Sequence, residues 1–327
     1  MSTIFVTGGA GFIGSHVCKS LVARGHLPVV FDNLSTGNAD AVQWGPFCKG
    51  DVRDSAALRV ALETHRPEAI IHFAASAYVG DSIFDPSGYY SNNVHGMQTL
   101  LDCAVATGVR KLVFSSSCAT YGVPEQLPIS ETTRQSPINP YGRTKLVCEF
   151  MLEDFARAYG VDFVILRYFN ASGADLDGAL VERHNPETHL IPRALMAAYG
   201  IIDRLDVFGN DFPTPDGTCV RDYIHVADLA DGHIKALDFL KDGRKNDHFN
   251  LGTGEGRSNL EIIRGIERVT GRKLPYAMLP RREGDPPALV ANVAKAACAL
   301  NFTARYSDLD TIVATAAASI RKVHSIA

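Results

Sequence analysis

Tyr141 and Lys145 stand four residues apart, 24 residues beyond Ser117, the last of three serines that follow an apolar run. On a helix that spacing puts a phenol and an ammonium on one face. An ammonium beside a phenol stabilises the phenolate and makes the tyrosine a base. Bringing a tyrosine from about 10 to near 7 takes roughly 4 kcal/mol of differential stabilisation, more than one lysine supplies in a wet cleft. A second positive charge, such as an oxidised nicotinamide, would complete the activation. Tyr-x-x-x-Lys alone occurs by chance on many surface helices, so its meaning rests on what else the chain holds.

The chain also holds Thr7-Gly8-Gly9-Ala10-Gly11-Phe12-Ile13-Gly14, between a strand pattern and a helix pattern. Gly8 suits a tight turn, Gly11 lets the backbone approach a pyrophosphate, and Gly14 lets helix and strand pack closely. Free N–H groups at the helix start then meet the phosphates. Asp32 follows 18 residues after Gly14, at the end of the second strand, where a carboxylate accepts hydrogen bonds from ribose hydroxyls. That carboxylate repels a 2′-phosphate, and no arginine follows in Asn33-Leu34-Ser35, so NAD is expected over NADP. Asp51 and Phe73-Ala74-Ala75 fall after the third and fourth strands, at the ligand edge of such a sheet. Asp51 is placed there to hold the adenine amino group.

These residues need a parallel sheet to position them. Short apolar runs near Ile4–Thr7, Pro28–Phe31, Phe47–Lys49, Ala69–Phe73, Lys111–Ser115, Asp162–Leu166 and His248–Leu251 read as strands. They alternate with helical stretches at Phe12–Arg24, Ser55–Thr64, Asn93–Thr107 and Tyr141–Tyr159, the mark of a sheet covered on both faces. The expected fold is α/β: a Rossmann-type doubly wound parallel sheet with a smaller α/β substrate-binding domain. The alternation stops after Asn170. Residues 1–170 are therefore read as the NAD-binding domain, with 219–253 packing back onto it, and 171–327 as mainly the substrate-binding domain. A cleft between two such parts is where a small ligand sits.

Composition excludes several classes. With 46% hydrophobic and 21% charged residues the chain reads as an ordinary folded protein. A net charge of −4 offers no basic field for nucleic acid. The apolar stretch Thr311–Ile320 is too short for a membrane helix, and the first residues run straight into a strand with no basic leader. A cytoplasmic protein with no membrane partner is expected. The seven cysteines are scattered with no Cys-x-x-Cys pair, so they read as small core residues, with neither a disulfide framework nor a metal site.

The glycine fingerprint, the serine-tipped fifth strand and the Tyr141/Lys145 pair together resemble the active site of the short-chain dehydrogenase/reductase superfamily. A closer resemblance, over essentially the whole chain, is to the UDP-glucose 4-epimerases of its extended branch. It is carried by Gly8–His16, Asp32–Gly37, Tyr89–Gly96, Ser115–Gly122, Asn139–Lys145, Arg167–Gly173, Val207–Asp228, Asn250–Gly256 and Arg281–Pro287. The most specific runs are Arg221-Asp222-Tyr223-Ile224-His225-Val226 and Arg281-Arg282-Glu283-Gly284-Asp285.

The resemblance implies that Ser117 binds the reacting sugar hydroxyl, Tyr141 is base and acid, and Lys145 holds the nicotinamide ribose. It implies that NAD lies along Gly8, Gly11, Phe12, Ile13, Gly14, Asp32, Asn33, Asp51, Val52, Phe73, Ala74, Ala75, Asn93, Tyr141, Lys145 and Tyr168. Asn170, Arg221, Arg282 and Asp285 would grip the uridine diphosphate. Three positions depart from the family pattern. Ala77 stands where many relatives carry a lysine that touches the cofactor. Thr188-His189 replaces an asparagine pair before Leu190-Ile191-Pro192, so His189 and Leu190 are carried over as substrate contacts. Leu289 replaces a tyrosine beside the sugar, which widens the pocket toward an N-acetyl group.

The implied reaction removes the C4 hydroxyl proton through Tyr141 while the C4 hydride passes to NAD. The resulting 4-keto sugar turns about its diphosphate link and takes the hydride back on its other face. Charge-assisted bonds from Arg221 and Arg282 suit the diphosphate, although both arginines also suit structural ion pairs. The substrate pair is read as UDP-glucose and UDP-galactose, with UDP-xylose/UDP-arabinose or UDP-N-acetylglucosamine as alternatives. A dehydratase needs an acidic pair where Cys118-Ala119 stands, a net oxidoreductase would accumulate NADH, and a non-catalytic sensor would lack Tyr141 or Lys145. The resemblance also implies a homodimer, formed through the helices around Asn93–Thr107 and Tyr141–Tyr159.

Overall fold

The architecture is described from a computed structural model that covers residues 1–244, 246–282 and 285–326. Glu283 and Gly284 of the second specific run lie outside the described residues. In chain order the first half runs β1 (Thr3–Thr7), α1 (Phe12–Ala23), β2 (Leu27–Asp32), β3 (Phe47–Lys49), α2 (Ser55–His65), β4 (Ala69–His72), α3 (Val79–Phe84), α4 (Pro86–Tyr89), α5 (Gly96–Thr107), β5 (Lys111–Ser117), α6 (Pro140–Tyr159) and β6 (Asp162–Tyr168). The second half runs β7 (Asn170–Ser172), α7 (Leu190–Ala198), β8 (Leu205–Phe208), β9 (Val220–His225), α8 (Val226–Lys241), β10 (Asp247–Leu251), β11 (Gly256–Ser258), α9 (Asn259–Thr270), β12 (Tyr276–Leu279), β13 (Ala288–Leu289), α10 (Ala294–Leu300) and α11 (Leu309–Val323).

Seven strands form one sheet in the order β10-β6-β5-β4-β1-β2-β3, and every pairing within it is parallel. The order reverses at β1, so a crevice opens beyond the carboxyl ends of β1 and β4, the usual ligand edge of such sheets. Strand residues alternate between the two faces. Ile4 and Val6 of β1 pack with Val17 and Leu21 of α1 and with Leu229 and Leu237 of α8. Phe5, between them, packs with Leu58 and Leu62 of α2, Leu100 of α5 and Leu152 of α6. A separate core joins α7, α9 and α11 through Leu195, Ile262 and Val313. No described helix is long and apolar enough to cross a membrane.

The helix expected over Asn93–Thr107 starts earlier. The chain turns helical at Pro86, passes through a π turn at Tyr90–His95 and continues as α5. Such π turns are frequent at functional sites, and this one carries Asn93, whose buried side chain bonds Ser76 and Thr144. Helix α6 begins one residue before the expected Tyr141, with Pro140 in its first turn, and the Asn139 side chain accepts the Gly142 N–H at 2.8 Å. Proline at the first position and an asparagine cap are what start a helix. Of the second-half strands only β10 matches an expected one, His248–Leu251. β9 carries Arg221, Asp222 and His225 between its apolar residues, and it pairs with the three-residue β7 and β11 and the two-residue β13.

Three buried histidines set an acid limit on this fold. Burial drives His72 down to about 3, and His225 and His233 each down to about 4, from an ordinary 6.5. The native state keeps these rings neutral while the unfolded chain binds protons below about 6.5, so the stability they contribute is complete above that pH. It is lost as pH falls toward 4, each proton contributing up to about 1.4 kcal/mol per pH unit. The urea midpoint is therefore expected to be lower at pH ~5 than at pH ~7; an equal midpoint would contradict this assignment.

Candidate active site

The loop Gly8–Gly14 requires glycine at its two ends. Gly8 has φ +73°, and a Cβ there would lie 2.6 Å from the Ala74 nitrogen. A Cβ on Gly14 would lie 2.3 Å from the Gly8 carbonyl oxygen. At Gly11 the only atom near an added Cβ is Gly8 O at 3.3 Å, which leaves that side to whatever fills the cavity. Gly11 is also the N-cap of α1 and offers no side-chain cap, so the first-turn N–H groups remain available to an anion.

A cavity of about 600 Å³ opens onto this loop, lined by Gly8, Gly11, Phe12, Ile13, Gly14, Asp32, Asn33, Val52, Phe73, Ala74, Ala75, Ala77 and Tyr168, among others. Asp32 is nearly buried; its carboxylate accepts the N–H groups of Ala10 at 3.0 Å and Leu34 at 2.8 Å. These residues fit a dinucleotide: donors at a helix start, close-approach glycines, and a carboxylate at the end of β2. Gly14→Ala is expected to cut nicotinamide retention at least tenfold, measured as NAD released from the denatured purified protein. Asp51 is held in place by neighbouring side chains. Arg53 grips its carboxylate with Nε at 2.8 Å and Nη2 at 2.7 Å, and the Asn33 amide adds a third bond at 2.9 Å. The guanidinium holds this carboxyl far below the usual carboxylate range, so Asp51 stays an ionised acceptor beside the cavity wall at Val52.

Ser117, Tyr141 and Lys145 come together beside this cavity. The Ser117 hydroxyl, at the end of β5, is close enough to the Tyr141 hydroxyl to favour the phenolate and accepts the Ala119 N–H at 3.1 Å. Lys145 Nζ donates to the Ser115 carbonyl at 2.8 Å and sits 5.9 Å from the Tyr141 ring centre. The Ser115 hydroxyl in turn meets the hydroxyl of Tyr168, which lines the cavity. Asn93 accepts the Ser76 N–H at 2.8 Å and donates to Thr144 Oγ1 at 3.0 Å, which ties the cavity wall to α6.

The protein's own groups do not by themselves activate the phenol. Tyr141 and Lys145 do share a helix face, yet the phenol is not lowered. Burial pushes it well above its ordinary range, with Tyr168 adding in the same direction. Burial also brings Lys145 down to about 8, where its ammonium is still mostly protonated at neutral pH. Desolvation dominates both shifts because the same packing that brings the pair together removes water from both.

On the second-half side, Arg221, Arg282 and Asp285 meet. Arg282 Nε donates to Asp285 at 3.1 Å, and Arg221 Nη2 lies 3.9 Å from the same carboxylate. Asn170 faces Tyr223 across the β7–β9 pairing, and Leu289 faces Arg221 across β9–β13. Leu289 is buried against Cys118 and Tyr121, next to Ser117. Leu190 starts α7 and packs onto the third core. His189 lines the cavity and belongs to a group with Glu182, His184 and Glu187 beside Tyr78. The two imidazoles hold Glu187 far below the carboxylate range, whereas burial pushes Glu182 up to about 8. The sequence reading weighed only cysteines as ligands and missed this group. Its signal was Glu182-x-His184-x-x-Glu187-x-His189 within eight residues.

Known proteins are similar to this chain over nearly its whole length. The chain is 51% identical to a UDP-glucose 4-epimerase of Rhizobium meliloti over 315 residues, covering 96% of both chains. A UDP-glucose 4-epimerase from Brucella ovis, solved in complex with NAD, superposes with a TM-score of 0.95 at 59% identity, over 97% of this chain and 98% of that one. One from Bifidobacterium longum, solved with NAD+ and UDP, superposes with a TM-score of 0.94 at 36% identity over 99% of both. Because the model of the NAD dependent epimerase/dehydratase family also matches residues 4–252, this chain belongs to that family, in its UDP-glucose 4-epimerase branch.

Proposed function

We infer that the protein interconverts UDP-glucose and UDP-galactose through a 4-keto sugar. The observation that carries this reading is the contact between the Ser117 and Tyr141 hydroxyls with Lys145 one helical turn away, beside a cavity that fits a dinucleotide. NAD, when bound, supplies a reversible hydride acceptor. Ser117 positions the C4 hydroxyl, and Tyr141 takes its proton and later returns it. Lys145 holds the nicotinamide ribose and keeps a positive charge near the phenol. Arg221 and Arg282, now sharing Asp285, exchange that carboxylate for the diphosphate. A grip concentrated on the diphosphate leaves the hexose free to turn over, which the change of face requires.

The same reading assigns the dinucleotide to residues 1–170 with 219–253, and the sugar nucleotide mainly to 171–327. Its support is that β10 completes the main sheet and α8 packs on α1. A homodimer is included, supported by the exposed apolar side chains of Ile83, Phe84, Tyr90 and Phe150 on or beside α6. So is a cytoplasmic location, supported by seven free cysteines, which a reducing compartment preserves. Incubation with a panel of UDP-sugars, followed by chromatography, tests the substrate. UDP-galactose from UDP-glucose is expected, and turnover of only other UDP-sugars would reassign it. Leu289 in place of a larger side chain favours some UDP-N-acetylglucosamine turnover in the same panel.

A further inference from the structure

Glu182, His184, Glu187 and His189 each aim one ligand-type atom at a common point, with all four atoms within 4.8 Å of one another. None of these residues has a part in the reaction derived above except His189, which resemblance alone assigned to the substrate. We propose that they form a binding site for a divalent first-row transition cation of the zinc type. This inference does not depend on the proposed activity.

The geometry matches a single ion. Four ligands about 2.0–2.1 Å from one tetrahedral centre are about 3.3–3.4 Å apart. His184 Nδ1 lies 3.2 Å from Glu187 Oε2 and 3.6 Å from Glu182; His189 Nδ1 lies 2.8 Å from Glu187 Oε1 and 3.9 Å from Glu182, so Glu187 hydrogen-bonds each imidazole through a different oxygen and a bound cation would replace those bonds. The two Glu182 separations are too long for hydrogen bonds and suit co-ligands of one ion. Two imidazole nitrogens with two carboxylate oxygens select zinc-like cations over magnesium or calcium, which prefer oxygen alone.

The site is also sheltered and fixed. The side chains of Glu182, Glu187 and His184 are 5%, 10% and 16% exposed, so water competes poorly for three of the four donors. The Glu182 N–H donates to Ser319 Oγ of α11 at 3.0 Å. The His184 ring stands edge-on to Phe12 and Tyr78, with centres 6.1 and 6.3 Å away. Phe12 opens α1 at the glycine loop. An ion here therefore fixes the segment before α7 where Glu182, His184 and His189 line the dinucleotide cavity.

The test uses full-length protein stripped with a chelator and titrated with zinc chloride by calorimetry, and with cobalt(II) chloride by visible absorption. One zinc per chain at micromolar affinity or tighter is expected, with the intense visible bands of four-coordinate cobalt and a melting temperature raised by a few degrees. His184→Ala and Glu187→Gln are each expected to weaken zinc binding at least tenfold and to remove the thermal shift, while circular dichroism shows both folded. Less than one zinc per chain in the parent protein would overturn the proposal. So would equal affinity in the parent and in whichever variant folds, since the ion would then sit elsewhere, for example at the exposed Cys298.

Discussion

Tyr141→Phe is expected to lower kcat about 10³-fold, within the roughly 10²–10⁴-fold contribution of a positioned proton-transfer group, or about 4 kcal/mol of transition-state stabilisation. The change removes one oxygen and keeps the ring, so the packing of this nearly buried side chain survives. Ser117 retains its bond from the Ala119 N–H, and the cofactor cavity does not rest on the lost hydroxyl. NAD content and KM are therefore expected to change little, the signature of an interaction made only in the transition state. The check is the steady-state rate of UDP-glucose conversion in the parent and variant, with bound NAD measured in the same samples. A loss below tenfold would show that Tyr141 is not the base.

The largest expected loss of stability lies behind the site. Glu149, one turn beyond Lys145 on α6, and Arg167 of β6 form an ion pair whose side chains are 3% and 4% exposed, with Nη2 to Oε2 at 2.6 Å and Nε to Oε1 at 3.0 Å. Arg167 also donates to the Tyr121 hydroxyl at 3.0 Å, and that hydroxyl donates to Asn250 at 2.7 Å. Arg167→Met leaves the Glu149 carboxylate buried without its cation. Breaking such a pair from one side costs about 3–5 kcal/mol. Glu149→Leu in the Arg167→Met background is expected to recover part of that loss, because the stranded charge is then gone. Urea denaturation of the parent, single and double variants measures this; equal stability of all three would contradict the buried-pair reading.

The main sheet is legible in the sequence for a physical reason. Strands covered on both faces need continuous apolar runs, and Ile4-Phe5-Val6 and Ala69-Ile70-Ile71 are such runs, each residue fully buried. The second half is harder to read because β7, β11 and β13 have only two or three residues each and gather on β9, which carries charges. No period-2 pattern can show in so short a stretch. In the site, the spacing of Tyr141 and Lys145 foretells their shared face. The rise of the phenol does not show, because Tyr168, Cys118 and Tyr89, which add to it, come from other parts of the chain. The Arg53 fork on Asp51 belongs to two residues of one turn, a local pairing that spacing allows but does not require.

The account rests on a hydride that leaves C4 and returns to the same carbon without exchanging with water. UDP-glucose carrying deuterium at C4 tests this most directly, with mass spectrometry of the UDP-galactose formed and absorbance of free NADH followed during turnover. The prediction is full retention of deuterium at C4 and no NADH released in proportion to product. Deuterium lost to solvent, or NADH accumulating with each turnover, would contradict it.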